Sequence, residues 1–529
     1  MSDRTYSLAD LFEIVADVVP ERLALVAGDQ RRTYRELDER TNRLAHALAA
    51  RGVDPGEHVA IISYNRVEWI EAMIACFKLR AVPINVNFRY VADELHYVLD
   101  NADVVAVIRE PEFADVLEQI RGRLPRVEAV LEIGDEYEEA IADSSPARDF
   151  APRSSDDHYV LYTGGTTGLP KGVVWRHEDI FFAALGGGGF GLDPITSPEE
   201  LAGRVLPEEN RMVPVVNAPM MHGGGQWMTF ITFFGGGTIV LYTGRTFDAD
   251  AIWRLVERER CNQVMVVGDA MARPLAEALA KPGASYDVSS VFVIGSGGAI
   301  LSEPVREQLR AHLPNAGIWD GFGTSETGAG GQVVDASKGP QMAVGASIAV
   351  LGDDLRPVEP GSGRIGTLAR SGNIPLGYYN DPAKSASVFV KDPDGKRWAL
   401  TGDMASVDAD GMIAFFGRGS VCINTGGEKV YPEEVEAAVK SHHGVFDVVV
   451  VGIPDERFVE RIAAVVQPRP GAEVTLEEIQ EHCRAKVAGY KLPRKLVLVD
   501  AVVRTPVGKP DYRWAKEVAV RSPLRPAGS

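Results

Sequence analysis

Between residues 33 and 108 the chain switches repeatedly between two hydrophobic periods, and that alternation restricts its architecture more than any other feature. Residues 33–51 (TYRELDERTNRLAHALAAR) open with a Thr33/Glu36 capping box, and Leu37, Thr41, Leu44 and Leu48 recur along one helical face before Gly52 stops the helix. Residues 58–63 (HVAIIS) then read as a buried strand, 69–78 as a helix, 82–85 as a strand, 93–100 as a helix and 104–108 as a strand. Such alternation is the mark of parallel sheets wrapped by helices, because each parallel connection must cross over the sheet. A second alternating region predicts strands at 212–216, 238–242, 263–267 and 291–294, with a helix at 249–260. The expected fold is α/β, with two helix-wrapped sheets in a large N-terminal domain.

Beyond residue 340 the pattern shortens. Turns such as Glu359-Pro360-Gly361-Ser362-Gly363 and Asp392-Pro393-Asp394-Gly395 separate brief strands and predict a small β-rich module. After Arg418, helices at 432–440 and 475–487 and strands at 445–451 and 462–467 predict a smaller α+β C-terminal domain, which divides the chain into 1–418 and 419–529. A length of 529 residues already asks for more than one core. Charge breaks at the same place: residues 419–529 hold 16 Lys+Arg against 15 Asp+Glu, or +1, so the first 418 carry −20 of the net −19. That acidity argues against nucleic acid or an anionic membrane as partner. It leaves room for a small anionic substrate, since a few backbone N–H groups and cations suffice to bind one.

Cys76, Cys261, Cys422 and Cys483 show neither a CxxC nor a Cys/His metal spacing and read as core or incidental thiols in a reducing compartment. The N-terminus has no long apolar run behind a basic start and no stretch reaches membrane-spanning length, so the expected location is the cytoplasm. The glycine run at 186–189 is expected to be a mobile loop.

The first chemical signal is Thr163-Gly164-Gly165-Thr166-Thr167-Gly168-Leu169-Pro170-Lys171-Gly172, directly after a strand-like segment at 159–162. Glycines let backbone N–H groups approach phosphate oxygens, the threonines add hydroxyl donors and Lys171 adds a positive charge. It is not a Walker A loop, whose spacing is absent; on composition alone a flexible Gly/Thr connection is the competing reading.

This segment resembles the phosphate-binding loop of the adenylate-forming superfamily of acyl-CoA synthetases, peptide-synthetase adenylation domains and luciferases, and further motifs of that family follow in order over nearly the whole chain. Asp320-Gly321-Phe322-Gly323-Thr324-Ser325-Glu326 is similar to the family segment in which an aromatic ring stacks on adenine, a hydroxyl contacts the α-phosphate and a glutamate helps hold magnesium. Phe322 stands where tyrosine is commoner and keeps the stacking face. Ser296-Gly297-Gly298-Ala299 resembles the adenine-side turn, and Thr401-Gly402-Asp403 the ribose-binding element. By the same likeness Arg418 contacts ribose and phosphate, Ser420 is the hinge, and Gly426, Gly427, Glu428 and Lys429 form part of the coenzyme A face. Arg504-Thr505-Pro506-Val507-Gly508-Lys509 resembles the segment carrying the adenylation lysine. An ammonium suits that step, because a carboxylate and an α-phosphate, both negative, must be joined.

Pro219-Met220-Met221-His222-Gly223-Gly224-Gly225-Gln226-Trp227 looks like the family segment that gates the acyl tunnel, with His222 shaping the acid pocket and the glycines removing bulk so that a wide apolar acid fits. The resemblance thus implies Lys509, Glu326, Lys171 and His222 as catalytic groups. It also implies ATP, Mg²⁺ and coenzyme A as reactants and cofactors, a homodimer as the family habit, and two reactions separated by rotation of the C-terminal domain. One departure lies in the hinge, where Ser420 and Val421 replace the family's charged residues. The segments TGGTTGLPKGVVWRHEDIFF and FFGRGSVCINTGGEKVYPEEVE are most like bacterial ligases for fatty and steroid-derived acids. Two other readings stay open at this point: a ligase that loads a carrier protein, and a catalytically silent acyl- or nucleotide-binding homologue.

Overall fold

The computed structural model describes residues 4–163, 169–189, 192–298, 301–332, 341–343, 347–418, 421, 423–425, 428–455, 459–484, 486–487, 489–504 and 510–522. The capping box forms as expected: Thr33 accepts from the backbone of Glu36, whose carboxylate returns to the Thr33 backbone, and the helix Tyr34–Ala49 buries Leu37, Thr41, Leu44 and Leu48. The strand His58–Ile62 lies between Val82–Asn85 and Val104–Arg109, all parallel. Ala129–Glu132 extends one side in parallel, and His158–Thr163 the other. Lys171–Arg176 then turns back antiparallel, with Gly377–Tyr378 at the edge, making seven strands.

The second sheet has eight strands. Its parallel middle runs Gly317–Thr324, Val293–Gly297, Gln263–Val266, Pro214–Val216, Ile239–Leu241 and Leu23–Ala27. Gly328–Gln332 and Gln30–Thr33 close its two edges antiparallel. Sequence distance hides two memberships: the N-terminal hairpin joins the later sheet, and Gly377–Tyr378, inside the supposed β-rich module, joins the earlier one. A third, antiparallel sheet contains Ile348–Leu351, Gly366–Ser371, Phe389–Lys391, Arg397–Val407, Met412–Arg418 and Gln341–Ala343. A smaller C-terminal domain follows, built on Ile423–Thr425, Glu428–Val430, Val445–Asp455, Val459–Pro468 and Lys495–Leu498.

Between the first two sheets Phe12, Tyr34, Phe77, Phe181, Phe230 and Phe233 are fully buried in one aromatic core. Burying rings of this size is the main source of favourable free energy at such a seam. One cation is sealed in beside it. Lys78 is wholly buried, and its Nζ lies 3.0 Å from Glu13, 2.7 Å from Asp38 and 2.6 Å from the Asn42 carbonyl oxygen. Burial alone would raise the Glu13 carboxyl, yet Lys78 and Arg153 hold it well below the ordinary range.

The glycines at 186–189 differ from the mobile loop expected of them. All four have positive φ, and Gly187 and Gly188 are buried, where a Cβ on Gly188 would strike Ile195. They form a packed turn that only glycine can make. Cys76, Cys261 and Cys483 are buried free thiols, as expected, while Cys422 lies outside the described residues. Among the described residues no helix is long and apolar enough to cross a membrane.

Candidate active site

The seam where the first two sheets meet by their strand ends gathers the predicted phosphate-side residues. Parallel strands place their carboxyl ends on one side, which is where α/β sheets bind ligands. Thr163 ends one strand directly opposite Lys171, the first residue of the next. Lys171 Nζ sits 2.9 Å from Asp381 Oδ2 and 5.6 Å from the centre of the Tyr378 ring. The Tyr378 hydroxyl donates to Glu326 Oε1 at 2.9 Å. Trp175, on the Lys171 strand, donates its indole N–H to the Ser325 carbonyl at 3.0 Å. Lys171, Ser325 and Glu326 are thereby brought into one group although the 219–227 and 296–299 segments lie between them in sequence.

The glutamate-bearing turn is held from below as well. Thr324 and Thr327 share a 3.1 Å hydroxyl contact, and the Glu326 N–H donates to Thr324 Oγ1 at 3.2 Å. Arg370 reaches in from the third sheet and donates to the carbonyls of Thr327 at 2.5 Å and Ala329 at 2.6 Å. Asp403 belongs to the same sheet, opposite Arg418, and its N–H donates to Thr401 Oγ1 at 3.0 Å, which in turn bonds the Leu368 carbonyl two residues from Arg370. The Asp403 backbone and the glutamate turn are therefore both tied to the strand Gly366–Ser371.

Gly297, the last residue of its strand, pairs with Gly321 of the parallel neighbour, which runs on to Thr324. Gly298 takes a positive φ of 80°, and the nearest atoms to a Cβ there would be 3.8 Å away, so the backbone is open on that side. Gly323 is different, since a Cβ would collide with the Gly328 carbonyl. Asp320 pairs with Arg306, but burial outweighs the pair and its carboxyl is pushed up to about 6.

His222 precedes the helix Gly223–Phe234. The chain before it is pinned by two asparagines: Asn85 donates to the carbonyls of Tyr162 at 2.8 Å and Met221 at 2.6 Å, and Asn65 accepts from the Met220 N–H at 2.8 Å. Asn85 thus fixes the end of the phosphate-loop strand to the His222 segment. The glycines that follow differ in what surrounds them. A Cβ on Gly225 would lie 2.9 Å from the Pro219 carbonyl, so that glycine lets the helix pack on its own approach, whereas Gly224 meets nothing within 4 Å. Gln226 is buried, donates to the Met220 carbonyl at 2.8 Å and accepts from the Tyr159 hydroxyl at 2.5 Å. Both polar atoms of its amide are thus engaged within the protein. Gly223 lies against Leu161 and the half-buried Trp227.

Gly164, Gly165, Thr166, Thr167, Ala299, Ser420, Gly426, Gly427 and Lys509 lie outside the described residues, as do the side chains of Phe322, Arg418, Glu428 and Lys429. Sequence reasoning missed Tyr378, Asp381, Trp175, Arg370 and Asn85. No spacing rule signals them, because each acts on a residue far away in the chain.

Two helix-wrapped sheets that gather a lysine and a glutamate at their shared edge suit an enzyme handling a nucleotide phosphate. The chain belongs to the AMP-binding enzymes: the family's model matches residues 12–379, and the model of the AMP-binding enzyme C-terminal domain matches 434–509. It is 46% identical over 98% of its length to a 3-oxocholest-4-en-26-oate–CoA ligase of Rhodococcus rhodochrous, covering 97% of that protein. It is 45% identical over 98% of its length to a medium/long-chain-fatty-acid–CoA/3-oxocholest-4-en-26-oate–CoA ligase of Mycobacterium tuberculosis, again covering 97%. Among solved structures it resembles ATP-bound MatB from Rhodopseudomonas palustris, with a TM-score of 0.80, 25% identity and coverage of 96% of this chain and 98% of that one.

Proposed function

We propose that this protein is an AMP-forming ligase that joins a hydrophobic carboxylic acid, fatty or steroid-derived, to coenzyme A. The observation that carries this reading is the 45–46% identity, over 98% of the chain, to ligases named for those acids, together with the Lys171, Ser325 and Glu326 group at the sheet seam. In this reading the acid's carboxylate oxygen attacks the α-phosphorus of ATP, the bond to the β-phosphate oxygen breaks, and pyrophosphate leaves. The thiolate of coenzyme A then attacks the acyl carbon and AMP leaves. Lys171 leaves Asp381 for a phosphate oxygen, an exchange of one anion for another that costs little in charge. Lys509 offsets charge at the α-phosphate, Asp403 and Arg418 hold the ribose, and Gly297, Gly298 and Phe322 hold adenine.

The residues present fit a magnesium ion. Glu326 Oε1 is held by Tyr378, and among the described residues no protein donor occupies its other oxygen. Magnesium is normally bound by one or two carboxylates, with phosphate oxygens and water completing the shell. When bound it would offset phosphate charge. His222, Gly224 and Trp227 border the acid, residues 426–429 the coenzyme A face, and Ser420 the hinge between units 1–418 and 419–529. A cytoplasmic homodimer without affinity for nucleic acid completes the reading.

Tyr378→Phe removes the hydroxyl that donates to Glu326 from the neighbouring sheet. We expect kcat/KM for magnesium-ATP to fall roughly tenfold, the worth of one hydrogen bond to a charged group, with unfolding temperature unchanged. Pyrophosphate release titrated with Mg²⁺ checks it, and an unchanged Mg²⁺ dependence would remove Tyr378 from the account. The function itself is tested by supplying short, long-chain, aromatic and steroid-derived acids with ATP, and with coenzyme A or a phosphopantetheinyl carrier protein as acceptor. Thioester on coenzyme A, with the apolar acids favoured, supports it; acylation of the carrier alone would replace it with the carrier-loading reading.

A further inference from the structure

A second polar cluster joins the two domains at a distance from the phosphate-side group. Asp269, in the first turn of the helix Gly268–Ala280, accepts from the Ser302 N–H and hydroxyl at 2.7 Å each and from Arg273 at 3.1 Å. Lys440, the last residue of the helix Pro432–Lys440 in the smaller domain, places its Nζ 2.9 Å from Asp269 Oδ2 and 3.2 Å from Asp447 Oδ1. Asp447 receives a two-pronged contact from Arg504, at 2.8 Å from Nε and 2.7 Å from Nη2. Arg504 in turn bridges backbone to backbone with Pro510. Alongside, the Arg273 guanidinium stacks 4.8 Å above the ring of Phe446.

These groups are not a screened surface pair. Asp269 is 8% and Arg273 5% exposed, and the Lys440 and Asp447 side chains are 16% and 14% exposed. Without Lys440 each carboxylate would keep its own arginine, and what would be lost is the cation that joins Asp269 of one domain to the other. The pair also differs from ordinary domain glue in where it leads. On one side Asp269 grips Ser302, four residues after Gly298 of the adenine-side turn. On the other, Asp447 grips the residue that opens the segment ending at Lys509. The Lys440–Asp447 contact lies within the smaller domain, so it is the Lys440–Asp269 contact that depends on how the domains are placed, and a contact made in one arrangement biases the equilibrium towards it.

We infer that Lys440 is a positioning residue for acid activation: its ammonium, shared between Asp269 and Asp447, selects the domain arrangement that ties the Lys509-bearing arm to the helix beside the nucleotide-side turn. The inference rests on the proposed adenylation role of Lys509, and it assigns the selection of that arrangement to a residue outside every motif of the sequence. Formation of the thioester needs no such tie.

The test separates the half-reactions. In Lys440→Met, acid-dependent ATP–pyrophosphate exchange is expected to fall roughly 5- to 30-fold, the usual size of a coupling between states, while thioester formation from supplied acyl-adenylate and coenzyme A stays within about twofold. Lys440→Arg keeps the charge and should restore exchange to within about threefold of the parent. An equal fall in both half-reactions, or no fall in exchange, overturns the inference. A readout independent of activity uses spin labels on Glu277→Cys and Glu477→Cys, both exposed positions, one in each domain. Lys440→Met should broaden the inter-label distances of the full-length protein, and an unchanged distribution rejects the latch. If the parent enzyme shows no exchange with any acid, the functional reading falls by itself while the label distances still judge Lys440.

Discussion

Lys509→Ala is expected to lower acid-dependent ATP–pyrophosphate exchange by roughly 100- to 1,000-fold, the cost of removing one preorganised donor from a site of developing negative charge. Attack of a carboxylate on an α-phosphate brings two anions together, so the ammonium is worth far more in the transition state than in the bound reactants. Attack of a thiolate on the finished acyl-adenylate no longer carries that cost. Thioester formation from supplied acyl-adenylate should therefore stay within about twofold of the parent. Parallel rapid-quench measurements of the two half-reactions decide the point, and equal losses would mean that Lys509 holds the fold or both sites together.

Lys78→Met is the stability counterpart. The substitution leaves Glu13 and Asp38 buried beside an apolar chain end, and breaking a buried pair in this way costs about 3–5 kcal/mol. In a scan of apparent unfolding temperature the N-terminal unit should melt about 5–10 °C earlier at neutral pH. The sign with pH follows from Glu13, whose carboxyl is depressed below its ordinary value of 4.5 when folded. Its stabilisation is complete above that value and is lost as pH falls below it, because the unfolded chain then binds the proton first. Parent and variant should consequently converge in stability on acidification below about pH 4.5. A gap that stays constant into acid would show that Lys78 packs rather than pairs.

What sequence could show here was whatever is local. The capping box at Thr33 and Glu36, the strand at 82–85 and the helix at 432–440 end where their residues predict, because a cap and a hydrophobic period are written within a few positions. Thr163, Lys171 and Glu326 are likewise singled out through short motifs. Invisible were the contacts that assemble those motifs. Tyr378 supports Glu326 and underlies Lys171 from a strand pairing over two hundred residues away, and Arg370 bonds the 327–329 turn from another sheet. Glycines misled for a related reason. A glycine looks alike in sequence whether it faces open space, as at Gly224, permits close helix packing, as at Gly225, or supplies positive φ in a buried turn, as at Gly188. Only the neighbours brought by the fold distinguish these uses.

The most direct test of the account is to supply a long-chain or steroid-derived acid labelled with heavy oxygen in its carboxylate, together with ATP, Mg²⁺ and coenzyme A, and to weigh the nucleotide product. Attack of the carboxylate on the α-phosphate predicts AMP carrying one labelled oxygen, released in step with pyrophosphate and the acyl-CoA thioester. Unlabelled AMP, or label appearing in inorganic phosphate beside ADP, would contradict it.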